Sequence, residues 1–220
     1  TVPLAFVFAN RMFGLRTASL VSFLLAISPN LKDYVGSISP PFVIPFLTVF
    51  FIYFLFKAFN GQNKFIPLLA LTVGLMTHFE MAAAGILLAL LIITGFVCLI
   101  KKTIPYRYYF FSICFFALPI LPILFFDITH NFVNTKGVIK MLEMTKLQSS
   151  WIFSDVFVNR FDVFSWNFIS TFSPNLIIWL SVLILILLGI YRFNNDRKVP
   201  IKQKVFVLYL CLIPIITFLL

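Results

Sequence analysis

The sequence predicts an all-α fold: a polytopic transmembrane helical bundle of about eight membrane segments, with an amphipathic helical segment on its outer face. Three observations carry this. First, the 220-residue chain is 61% hydrophobic and 11% charged, with a mean hydropathy of +1.05, a composition foreign to soluble domains. Second, its apolar runs are continuous rather than alternating, which excludes a barrel. Third, Phe65–Ile100 runs 36 residues without Lys, Arg or Asp, and its only His and acidic side chains are His78 and Glu80. As one helix that run is roughly 54 Å long, against a bilayer core of about 30 Å. It must therefore be two spans. The fold-back belongs at Thr77-His78-Phe79-Glu80, because a carboxylate at mid-bilayer costs about 3 kcal/mol or more.

The remaining elements follow in order. Val2–Ala9 reads as the end of a first span, and Asn10–Arg16 as a tight basic turn. A second span over Leu15–Ile27 is stopped by Ser28-Pro29. Asn30–Pro41 is a polar loop holding Lys32 and Asp33. A third span covers Phe42–Phe56, with a short loop at Lys57–Lys64. The fourth and fifth spans form the Phe65–Ile100 hairpin. Lys101–Arg107 is a basic loop, and the sixth span, Tyr108–Phe126, contains Pro119 and Pro122, which membrane helices tolerate. Asp127–Phe172 is a long outer segment. A seventh span covers Leu176–Tyr191, Arg192–Lys204 is basic, and an eighth span runs to Leu220. Apolar residues at both ends predict that the 220 residues are a fragment, one transmembrane domain cut through helices at each terminus.

Charge sorts by side. Alternate loops hold Arg11, Arg16, Lys57, Lys64, Lys101, Lys102, Arg107, Arg192, Arg197, Lys198, Lys202 and Lys204, which is 12 of the 17 basic residues, with Asp196 the single acid. The other six acids fall on the opposite side with only five basic residues. The positive-inside rule assigns the first set to the cytoplasm and 127–172 to the outer face of a multi-pass cell-membrane protein. The net charge of +10 is thus explained without nucleic acid. Cys98, Cys114 and Cys211 lie in apolar runs without metal or disulfide spacing, so they read as packing residues.

Candidate chemistry gathers on the outer side: Lys32 and Asp33, His78 and Glu80, then Asp127, His130 and Asn131. Phe153, Phe157, Phe161, Phe164, Phe168 and Phe172 recur at steps of three and four, one face of a helix. Arg160 belongs to its polar side, and Trp151 and Trp166 suit the headgroup level. Such a helix lies in the interface and could frame a cavity for a substrate that is half lipid, half polar. Each group also has a plain structural reading. His78 and Glu80 can be a snorkelling turn, Asp127 and His130 can satisfy helix ends, and Lys32 and Asp33 can be a solvated pair. No GxGxxG, Walker loop, HExxH or GxSxG is present.

Leu118-Pro119-Ile-Leu-Pro122-Ile-Leu-Phe-Phe-Asp127-Ile-Thr-His130-Asn131-Phe132, followed by Asn134-Thr135-Lys136, resembles the P-x-x-x-F-D-x-R-H-x-F-x-N-T stretch of bacterial GT-C membrane glycosyltransferases, in the branch of protein mannosyltransferases and aminoarabinose transferases. Gly74-Leu75 with His78-Phe79-Glu80 resembles their G-L-x-x-H-F-E hairpin. Phe13-Gly14-Leu15-Arg16 with Ala26-Ile27-Ser28-Pro29 is similar to their F-G-R-R … A-x-S-P run. The order and spacing of all three carry the resemblance across most of the chain.

The resemblance implies an enzyme that takes a sugar from a polyprenyl-phosphate donor at the outer leaflet and passes it to a lipid, glycan or protein acceptor. It implies a catalytic carboxylate in a first outer loop, upstream of residue 1, so no catalytic residue is expected within these 220. Lys32, Asp33, His78, Glu80, Asp127, His130, Asn131 and Arg160 are expected to bind substrate. Two departures stand out. Val35-Gly36-Ser37 replaces an Arg-bearing neighbourhood, and Thr129 stands where an Arg usually precedes the histidine. Charge on the departing phosphate then falls to Lys32 or Arg160, with His130 a further candidate when protonated. Membrane lipids are expected partners. No metal site is expected from spacing, and a divalent-metal requirement, the sugar and the acceptor stay open. The alternative is a flippase of polyprenyl-linked sugars or another secondary transporter, although transporters usually hold their charges near the midplane.

Overall fold

A computed structural model describes residues 1–28, 43–100, 102–147, 158, 161–163, 165–166, 176–195 and 199–219. Among these the chain is helical, with no strand. Nine helices are used below: α1 Val2–Phe13, α2 Leu15–Ile27, α3 Ile44–Phe59, α4 Ile66–Met76, α5 Met81–Ile100, α6 Tyr106–Thr129, α7 Val133–Leu147, α8 Leu176–Asn195 and α9 Ile201–Leu219.

Several boundaries are set by single residues. The basic turn expected at Asn10–Arg16 shrinks to Gly14, and Asn10 and Arg11 finish α1 instead. Gly14 takes φ 86°, ψ 172°, a region open essentially to glycine alone, and the chain doubles back so that α1 packs on α2. Lys57 belongs to the last turn of α3, where its charge suits the helix C-terminus, and Gly61 at φ 84° turns the chain into α4. In the Phe65–Ile100 run, α4 ends at Met76, turn residues occupy Thr77–Phe79, and α5 starts at Met81. The break therefore lies at His78–Glu80.

α3 is the centre of the core. Phe51, Leu55 and Phe56 are buried with Met12 of α1, Leu69, Val73 and Met76 of α4, Leu87 of α5 and Phe206 of α9. The aromatic load does packing work here. Phe8 stacks on Tyr53 with ring centroids 4.0 Å apart, and Phe206 meets Phe56 edge-on at 5.3 Å. α4 also lies along α6, its most extensive partner.

One helix among the described residues, α6, is long and apolar enough to cross a membrane; α1, α2 and α3, with 63–76 and 84–100, are shorter apolar helices. Only 6% of the apolar window of α6 is buried. It is thus no core helix of a soluble domain, and Phe110, Ile113, Leu121 and Phe125 stand uncovered. The sequence reading gave the fourth span about half of a 36-residue run. Pro67 near its start and the turn at Thr77 leave α4 only 11 residues, roughly 17 Å at the helical rise.

Candidate functional site

The candidate groups on described residues are organised by α6 and its neighbours. α6 carries Pro119 and Pro122 within it. Their missing N–H groups leave the carbonyls of Phe115 and Leu118 without intrahelical partners. α4 packs against this weakened stretch through two residues one turn apart. A methyl group at Gly74 would stand 2.7 Å from the Phe116 carbonyl oxygen, so glycine is what lets the two backbones approach. Four residues on, His78 Nε2 donates to the Pro119 carbonyl at 2.5 Å. Gly74 and His78, two residues of one quoted motif, thus meet the proline-bearing part of another. Glu80 is half-buried; its backbone bonds to Met76 and Ala84, and its carboxylate has no hydrogen-bond partner among the described residues.

Asp127 lies two turns beyond Pro119, roughly 12 Å along the helix. It is 5% exposed. Oδ1 accepts the Asn134 amide at 2.7 Å, and Oδ2 accepts the Thr135 amide at 3.2 Å together with the Thr135 hydroxyl. Asn134 and Thr135 are the second and third residues of α7, whose first amides have no partner within the helix. The residue that would normally cap them is Phe132, which has no oxygen in its side chain. Asp127 therefore caps α7 from the preceding helix, and its negative charge faces the positive end of the helix dipole.

The turn this cap closes is tight. Asn131 and Phe132 have φ of 57° and 58°, a left-handed conformation unusual for any non-glycine residue and strained for a bulky one. The Phe132 amide donates to the Asp127 carbonyl at 2.7 Å. His130 is exposed at the turn. Its ring stacks on Phe126 with centroids 4.0 Å apart, and Nδ1 lies 2.9 Å from the Phe126 carbonyl. With Nδ1–H given to that carbonyl, Nε2 faces outward as the available group of the turn.

The structure thus joins Asp127 to Asn134 and Thr135, His130 to Phe126, and His78 to Pro119. It does not gather His78 and Asp127 around one point. Lys32, Asp33 and Arg160, and most of the phenylalanine stripe, lie outside the described residues. Within the long outer segment a helix starts at Val133, where Asp127 supplies the cap. Asn134 and Thr135 are the partners that reasoning on Asp127 alone missed. Their signal was an Asn-Thr pair seven and eight residues past an acid.

A second feature lies at the far end of α4. A cavity of about 560 Å³ is lined by Gly61 and Asn63, by Leu69 and Ala70, by Thr94, Gly95 and Cys98, by Thr103 and Ile104, by Tyr109 and Ser112, and by Lys202. The loops before α4 and before α6 and the first turn of α9 therefore share one end of the bundle. Comparison of the chain with protein-family models, with curated proteins and with solved structures gives no match.

Proposed function

We propose that the chain is part of a multi-pass membrane glycosyltransferase that transfers a sugar from a polyprenyl-phosphate donor at the outer face, with the basic loops in the cytoplasm. The observation that carries this reading is the Asp127 cap. The acid, the asparagine and the threonine of the GT-C-like stretch form one hydrogen-bonded unit, and that unit presents His130 and Asn131 on an exposed turn. The packing of Gly74 and His78 onto α6 adds a second quoted motif to the same helix.

On this reading an acceptor hydroxyl attacks the anomeric carbon. The bond from that carbon to the phosphate oxygen breaks, and polyprenyl phosphate departs with the bonding pair. The proton goes to a carboxylate upstream of residue 1, as the resemblance implies. His130, on the exposed turn, is a described candidate for meeting the charge that develops on phosphate; Lys32 and Arg160 are the other candidates. Asp127 is a positioning residue, because both its oxygens already accept hydrogen bonds from α7.

The test uses the whole gene product in nanodiscs with a panel of polyprenyl-phosphate sugars. Donor cleavage is expected, lost on Asp/Glu→Ala replacement in the first outer loop and reduced at least tenfold by His130→Ala, in line with the usual weight of one electrostatic stabiliser. Movement of a lipid-linked sugar between leaflets without cleavage would instead establish the transporter.

A further inference from the structure

We infer that the cavity at the basic end is a binding site for one anionic phospholipid of the cytoplasmic leaflet, with an acyl chain inside and the phosphate at Lys202. This rests on the membrane placement proposed above and is independent of sugar transfer.

The lining is mainly apolar, and its hydroxyls are bonded to backbone carbonyls. Thr94 Oγ1 donates to the Leu90 carbonyl at 2.8 Å, Tyr109 Oη to the Gly95 carbonyl at 3.2 Å, Ser112 Oγ to the Tyr108 carbonyl at 2.7 Å, and Thr103 Oγ1 to the Cys98 carbonyl at 3.2 Å. At about 560 Å³ the cavity falls within the range of small-molecule sites. Among the described residues no acidic one lines it, and the one charged lining residue is Lys202, exposed in the first turn of α9. Lys57 and Lys64 flank the α3–α4 loop, and Lys102 and Arg107 flank the α5–α6 loop, so both loops at this end carry basic residues. An apolar chamber with a cation at its edge is complementary to a molecule with a hydrocarbon tail and an anionic head. In a bilayer, such a molecule at a basic cytoplasmic face is an anionic phospholipid.

Two variants separate the head from the tail. Lys202→Glu reverses the charge at the edge. Gly95→Leu fills the chamber: a first carbon there meets only Tyr109 Cε1, at 3.9 Å, so the helix accommodates it. The chain, purified in detergent, is titrated with phosphatidylglycerol and with phosphatidylcholine of the same acyl chains, and bound lipid is counted by native mass spectrometry. One phosphatidylglycerol is expected, held at least fivefold more tightly than phosphatidylcholine, the factor that about one basic contact supplies. Lys202→Glu should abolish that preference, and Gly95→Leu should remove both lipids. Equal binding of the two lipids by the wild type, or a preference surviving Lys202→Glu, overturns the headgroup assignment. Binding undiminished in Gly95→Leu overturns the cavity. Failure of the membrane reading would show separately, as a chain that stays dispersed in buffer without detergent.

Discussion

Asp127 illustrates how one side chain can govern a segment it does not belong to. Its carboxylate takes both amides and the hydroxyl offered by the start of α7, and so holds the left-handed pair Asn131–Phe132 closed. Asp127→Ala leaves those amides without a partner, at a cost of about 0.5–2 kcal/mol. The expected outcome is faster hydrogen exchange at residues 133–136, by about tenfold, with exchange in α3 unchanged. Protection retained at 133–136 would mean that another group caps the helix. Sequence order alone exposed part of this, since an acid, a turn and an Asn-Thr pair follow one another within nine residues. The role of His78 was not legible, because its partner lies 41 residues away and is a backbone carbonyl with no identity in the side-chain sequence.

At the scale of elements, the α4–α6 contact is decided by the absence of a side chain. Gly74→Ala brings a methyl group against the Phe116 carbonyl, and a backbone atom cannot swing aside. Overpacking of this kind costs about 1–3 kcal/mol, so the thermal midpoint in detergent should fall. Gly85→Ala is the control. A methyl there meets nothing within 4 Å and adds helix propensity, so the midpoint should hold or rise. Equal behaviour of the two variants would place α4 and α6 further apart than described. Helix ends were read less well than helix identities. Charge suggested a loop at Asn10–Arg16 and another at Lys57–Lys64, yet Arg11 and Lys57 continue their helices to last turns that welcome a cation. Gly14 and Gly61 are the residues of these two stretches that take positive φ.

For the whole molecule, the sequence alone yielded the all-helical class, because continuous apolar runs admit little else. The cavity was invisible to it, since its wall is assembled from α3, α4, α5, α6, α9 and two loops that only packing brings together. The proposed topology puts the cavity end and the α7 turn on opposite sides of the membrane. Gln62 and Thr103 flank segments at the cavity end, and Asn131 lies beyond the far end of α6. In a variant lacking native cysteines, single cysteines at 62 and 103 should react with an impermeant maleimide only after the membrane is opened. A cysteine at 131 should react in intact cells. Reaction of all three from one side would end the alternating topology.

The proline pair acquires a wider meaning from where it falls. α6 has Tyr109 and Ser112 in the cavity wall and Asp127 at the α7 turn, and the two prolines lie between them. His78 fastens α4 across that place like a splint across a joint. With backbone against backbone at Gly74, no soft layer lies between the two helices to absorb a displacement. The stretch of α6 that prolines deprive of hydrogen bonds of its own is thus the stretch against which α4 lies backbone to backbone.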